Sequence, residues 1–215
     1  KSKGNVVNPD EMVKSYGADS LRLYEMFMGP LSADKPWNPN GIEGSKRFVD
    51  KVYRRFSELE IVDENIPELE KIYHKTVKKV TEDYEAMSFN TAISQMMIFM
   101  NELNNKDKIS REYAEGFIKL FNPICPHITE EIWNTVLGHN GTIAYEEWPK
   151  YDSAKVIDEE KEIAVQVNGK VRATIKIGID EDEESIKEKA LKEENVINHT
   201  EGKDIVKVIV IKGKI

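Results

Sequence analysis

Residues 40–59, NGIEGSKRFVDKVYRRFSEL, carry two patterns at once. Ile42, Ser45, Val49, Val52, Phe56 and Leu59 step by three and four, the spacing that gathers side chains on one side of an α-helix. Arg47, Lys51 and Arg54 fall on the opposite side. One long helix with a buried stripe and a basic ridge therefore needs partners to cover the stripe. The sequence supplies them downstream. Residues 67–87 repeat the design, with Leu69, Tyr73, Val77, Val80, Tyr84 and Met87 as the stripe and Lys71, Lys75 and Lys78 facing away. Residues 89–103 are apolar over a wide arc (Ala92, Ile93, Met96, Met97, Phe99, Met100), which places that helix at the centre. Residues 109–121 form a further helix. Pro126 opens a last one, which buries Ile128, Ile132, Trp133 and Val136 before Gly138 stops it. Short connections join these segments into a helical bundle.

Upstream, Asn8 suits an N-cap, Pro9 the first helical position and Glu11 the third, so a short helix runs to about Tyr16 and closes at Gly17. A second helix, residues 20–28, starts from Asp19 and ends at Gly29-Pro30. Its apolar residues lie on two sides, Leu21, Tyr24 and Met28 against Leu23 and Phe27, which predicts that it is sandwiched. Residues 30–40, with three prolines around Trp37, read as loop.

The period changes after a polar, turn-rich stretch over 139–160. Ile163, Val165 and Val167 alternate with polar residues. Asn168-Gly169 is a type I′ hairpin signal, and Val171, Ala173, Ile175 and Ile177 alternate again. Residues 180–194 form an acidic helix, and 205–211 are a dense β-branched run that predicts a strand. The fold class is thus mainly α, a helical bundle followed by a small α+β domain made of a β-hairpin, a helix and a strand. Three segments are expected: 1–35, 36–150 and 160–215.

Composition sets limits on function. The chain has 215 residues, of which 33% are charged and 40% apolar, enough for globular cores. A net charge of −8 argues against a protein that simply coats polyanions, so any nucleic-acid contact must come from a local basic surface. The single cysteine, Cys125, excludes an intrachain disulfide framework or a zinc ribbon and suits a reducing, cytoplasmic setting. No metal site is expected, since His127 has no second histidine or cysteine at ligand spacing. His127 reads as a capping or packing residue, and Trp37, Trp133 and Trp148 as pins between loops and core.

Two kinds of residue could carry chemistry. Lys1-Ser2-Lys3-Gly4-Asn5 combines mobile cations with small residues, a composition suited to phosphate. On the hairpin, Lys170, Arg172 and Lys176 alternate with apolar residues, predicting one shared exposed face with no acid between Ile163 and Ile179. With Arg47, Lys51 and Arg54 they form the candidate RNA-binding set. A patterned cationic surface of this kind follows phosphates more than bases.

Several blocks, in this order, resemble the bacterial-type leucyl-tRNA synthetases of class I. They are Lys1 to Glu11, Tyr16 to Pro30 (YGADSLRLYEMFMGP), Trp37 with Gly41-Ile42-Glu43-Gly44, Phe89 to Ile93 (FNTAI), Pro126 to Trp133 (PHITEEIW) and Val165 to Arg172 (VQVNGKVR). The Gly-Ala-Asp and Pro-His-Ile blocks are similar to those of the valyl and isoleucyl enzymes as well. The isoleucyl kind of C-terminal zinc module would need more cysteines than the chain has.

The resemblance implies a bundle of the class I anticodon-binding type and a C-terminal domain that touches tRNA. It also implies that Lys1 falls on the second lysine of a KMSKS loop, which meets ATP phosphates. On that reading the parent enzyme makes leucyl-adenylate from leucine and ATP with Mg²⁺ and transfers leucine to its tRNA. The chain would be the C-terminal portion of that enzyme, cytoplasmic, monomeric and not membrane-bound, packed on the catalytic domain of the same polypeptide. Alone it would be inactive and hold no cofactor. The alternatives are a free-standing RNA-binding or protein-interaction module, or the equivalent part of a valyl- or isoleucyl-tRNA synthetase.

Overall fold

The computed structural model describes residues 6–156, 160–178, 181–202 and 204–211. The chain divides into two compact units, 1–156 and 157–215.

In the first unit Asn8 accepts a hydrogen bond from Asp10 N (3.0 Å) and starts α1, Pro9–Tyr16, which ends at Gly17 with φ +89°. Helix α2 spans Ala18–Phe27. Its Leu23 and Tyr24, one from each apolar side, are both buried and α2 packs against α1, α3 and α5, so the helix is sandwiched as expected, although Phe27 near its end stays exposed. Asn38 then caps α3, Pro39–Glu58, through Asn40 N (3.0 Å). Ile42, Ser45, Val49, Val52 and Phe56 are all buried, the stripe that the spacing predicts. At the start of α3 a Cβ added to Gly41 would lie 2.5 Å from the Tyr24 ring, so only glycine lets α3 approach α2 so closely.

Helices α4, Pro67–Glu85, and α5, Phe89–Glu102, pack side by side. Ala92, Ile93, Met96, Phe99 and Met100 of α5 are fully buried, as expected for the central helix. Helix α6, Arg111–Phe121, brings Phe117 into stacked contact with Phe56 (5.6 Å) and Phe99 (5.2 Å). One pairing is absent from the sequence reading. Strand β1, Glu60–Val62, runs parallel to β2, Lys108–Ser110, with Ile61 opposite Ile109. These strands tie the end of α3 to the start of α6. Helix α7, Pro126–Glu131, passes into a π-helical turn, Ile132–Val136, and Gly138 (φ +77°) follows.

In the second unit β3, Glu160–Val167, and β4, Lys170–Gly178, form the expected antiparallel hairpin. Asn168 (φ +51°) and Gly169 (φ +77°) make its turn, with the positive φ at both central positions that a type I′ turn requires. Asp182 caps α8, Glu183–Lys192, by accepting from Glu184 N (2.9 Å) and Ser185 N (3.0 Å). A separate α9, Glu194–Thr200, follows, where one helix was expected. Ile163, Ile175, Ile177 and Ile186 form the core. The predicted strand over 205–211 is not formed. Residues 204–211 pair with no strand, though residues 204–210 line a cavity of about 380 Å³ together with β3, α8 and α9.

Candidate nucleic-acid interface

The N-terminal helices are fixed to the bundle by two charged residues of α2. Asp19 is buried, and its carboxylate accepts from Ile128 N (2.7 Å) and His127 N (3.3 Å), capping α7 from another helix. One turn on, Arg22 donates to Ile124 O and Pro123 O, both at 2.8 Å. Cys125 lies between, its Sγ 3.6 Å from Asp19 O, and burial pushes its thiol well above the ordinary range. His127 thus takes part through its backbone at a capped helix start, and its side chain, which was expected to cap or pack, is exposed instead.

This framework presents α3 with its basic side outward. Arg47 and Arg54 are exposed and, among the described residues, have neither a hydrogen-bond nor an ion-pair partner. Lys51, between them, donates from Nζ to Asn101 Oδ1 at 2.9 Å. At 1.5 Å per residue the ridge from Arg47 to Arg54 covers about 10 Å of helix axis. Neighbouring cations on α3 are engaged otherwise. Lys46 pairs with Asp50, and Arg55 donates to Leu103 O, Lys106 O and Glu58. The contacts of Lys51 and the carbonyl contacts of Arg55 were hidden in the sequence, because they depend on residues about fifty positions away, whereas the Lys46–Asp50 and Arg55–Glu58 pairs are local.

The second ridge differs. Lys78 lies 3.9 Å from Glu82, adjacent Lys79 is 2.6 Å from the buried Asp83, and Lys71 and Lys75 also have interaction partners. Lysines held beside carboxylates, as Lys78 and Lys79 are, make ordinary solvated faces.

On the hairpin the expectation of one shared cationic face is corrected. Val165 pairs with Ala173 but Gln166 pairs with Val171, so Arg172 is an extra residue in β4, a β-bulge. Beyond it the alternation reverses. Val171 turns outward, 57% exposed, while Lys170 pairs with Val167 on the side opposite to Lys176. Arg172 is half-buried, and its Nε is buried with no hydrogen-bond partner. Lys176 is exposed but lies opposite Glu162. Lys170, Arg172 and Lys176 therefore point to different surroundings.

The remaining expectations concern single residues. Lys1 lies outside the described residues. Trp37 packs edge-on against Tyr24 (4.8 Å), Trp133 is buried beneath His139 (3.8 Å), and Trp148 donates to Thr81 Oγ1 at 2.8 Å, so each pins a loop or helix. Among the described residues no three His, Cys, Asp or Glu side chains converge as metal ligands. None of the described helices is long and apolar enough to cross a membrane.

Residues 68–188, more than half of the chain, match the family described as the anticodon-binding domain of tRNA ligase. The chain belongs to that family. Among solved structures it is similar to the crystal structure of the ternary complex of Agrobacterium radiobacter K84 agnB2 LeuRS with tRNA and LeuAMS. That likeness has a TM-score of 0.73 at 27% identity, over 100% of this chain and 30% of the other. The chain thus spans about a third of the length of the synthetase it matches.

Proposed function

We propose that this chain is the tRNA-binding C-terminal part of a leucyl-tRNA synthetase. The observation that carries the reading is the likeness of the whole chain, bundle and C-terminal unit alike, to a leucyl enzyme solved with tRNA. Membership of the anticodon-binding family supports it. The intact enzyme would make leucyl-adenylate from leucine and ATP with Mg²⁺ in the cytoplasm and pass leucine to its tRNA. Within it, Lys1 would meet the ATP phosphates, and the chain would hold tRNA against the catalytic domain.

The α3 ridge is the first choice for phosphate contact, because Arg47 and Arg54 lack neutralising partners among the described residues, in a protein of net charge −8. Lys170, Arg172 and Lys176 make a second, dispersed set. The test is binding of an in vitro transcribed leucine tRNA to the 215-residue chain between 50 and 200 mM salt, on the order of the range where counterion release is read. Weak binding that falls steeply with salt, and further on Arg47→Ala or Arg54→Ala, is expected. Binding that ignores both salt and these substitutions overturns the reading of the ridge. Charging of leucine, valine and isoleucine by the intact synthetase separates the leucyl enzyme from its relatives. Leucyl-tRNA formation by the chain alone would show that it is not merely the tRNA-holding part.

A further inference from the structure

Among the described residues Lys51 differs from the ion-paired lysines of the first unit in what holds it. Lys46, Lys78, Lys79, Lys108 and Lys155 each lie against a carboxylate, of Asp50, Glu82, Asp83, Glu64 and Glu70 respectively. Lys51 instead donates to the neutral side-chain carbonyl of Asn101, in the last turn of α5. An ammonium has three donors. A carboxylate there would fix the side chain but cancel its charge, whereas an amide fixes it and leaves the charge whole.

The surroundings of Asn101 fit this division. The C-terminal end of α5 carries the partial negative charge of its free carbonyls and draws cations. Arg55 meets that demand by donating to Leu103 O and Lys106 O. Lys51, one turn earlier on α3, is thereby left with only the amide, midway between Arg47 and Arg54.

We propose that Asn101 is a positioning residue for nucleic-acid phosphate, holding the Lys51 ammonium in line with Arg47 and Arg54 without neutralising it. This rests on the reading of the α3 ridge as a tRNA-binding surface. A free lysine must order a long, flexible side chain when it meets phosphate, and Asn101 does part of that ordering beforehand.

The experiment uses the 215-residue chain, a fluorescently labelled leucine tRNA transcript and a salt titration read by anisotropy. Asn101→Ala is expected to weaken binding about two- to fivefold with nearly the same salt dependence, since the charge stays but its ordering is lost. Asn101→Asp, which ion-pairs Lys51, is expected to lower the salt slope by about 0.7–0.9, the equivalent of one phosphate contact, as Lys51→Ala does. In the Lys51→Ala background Asn101→Ala should have no further effect, because its role runs through the ammonium. Equal losses from Asn101→Ala in both backgrounds, or an unchanged slope in Asn101→Asp, overturn the proposal. If Arg47→Ala and Arg54→Ala also leave affinity and slope unchanged, the ridge itself is not the tRNA surface and the inference falls with it. If they weaken binding while Asn101→Asp does not, only the role of Asn101 is lost. Thermal unfolding of each variant, followed by tryptophan fluorescence, separates these effects from damage to the bundle.

Discussion

The Asp19 carboxylate accepts the Ile128 amide proton across 2.7 Å, so the first turn of α7 is capped by a residue more than a hundred positions earlier. The same carboxylate takes the His127 amide. Two sequence blocks that look independent, Gly17-Ala18-Asp19 and Pro126-His127-Ile128, are halves of one joint.

Removing that cap leaves two amides of α7 without their acceptor in a part-buried setting. Asp19→Ala should destabilise the first unit by about 0.5–2 kcal/mol, the cost of losing a helix cap. Asp19→Asn, which keeps one acceptor, should cost less. Urea unfolding followed by tryptophan fluorescence reads this unit alone, because Trp37, Trp133 and Trp148 all lie within it.

Gly116 marks the closest approach of α6 to α4. A Cβ there would lie 2.0 Å from Tyr73 Oη and 2.7 Å from Cζ. Gly116→Ala should therefore cost about 1–3 kcal/mol through overpacking. Adding Tyr73→Phe removes the hydroxyl but not the ring contact, so it should restore only part of the loss. Denaturant midpoints of the single and double variants check this.

His74 makes the connection after Pro149 sensitive to acid. Its Nδ1 accepts from Asp152 N (3.2 Å), which requires a neutral acceptor nitrogen. Burial, then the nearby Lys155 charge, lowers its pKa below 6.5, against the opposing pull of Glu112, Glu70 and Asp152. The folded state thus resists protonation. The stability this gives is complete above pH 6.5 and is lost as pH falls through the lower folded value. The protection factor of the Asp152 amide, the unstructured exchange rate relative to its own at the same pH, should fall over that window in the parent protein. In His74→Ala the exchange should show no such step.

Glu181 plays a comparable part in the second unit. Lys189 (2.8 Å), then the Ser185 hydroxyl and the Gly178 amide, hold its carboxyl down to about 2 from 4.5. The contribution is present above pH 4.5 and disappears as pH falls toward 2. Carboxyl-carbon NMR titration should find Glu181 ionised well below its neighbours, and Lys189→Met should return it toward the ordinary range.

Periodicity reads what each residue does on its own element, and that part was legible. Ile42 to Phe56 are buried because their spacing puts them on one face, and Asn168-Gly169 turns because both residues tolerate positive φ. Features set by a partner were hidden. The bulge at Arg172 depends on the register of β4 against β3, so the alternation that placed three cations on one face fails midway. The neutrality of the Lys51 contact depends on Asn101, fifty residues on. The β-branched run at 205–211 has strand propensity but no strand partner, and propensity alone does not make a ladder.

The parallel pair of β1 and β2 bears on how the bundle assembles. Joining Glu60 to Lys108 closes a loop that contains the whole of α4 and α5, so its entropy must be lost before three residue pairs can repay it. The clasp therefore follows the meeting of those two helices, and the still longer loop closed between Asp19 and Ile128 carries a larger entropy cost again. It acts as a latch on α4 and α5 rather than as the nucleus of the bundle.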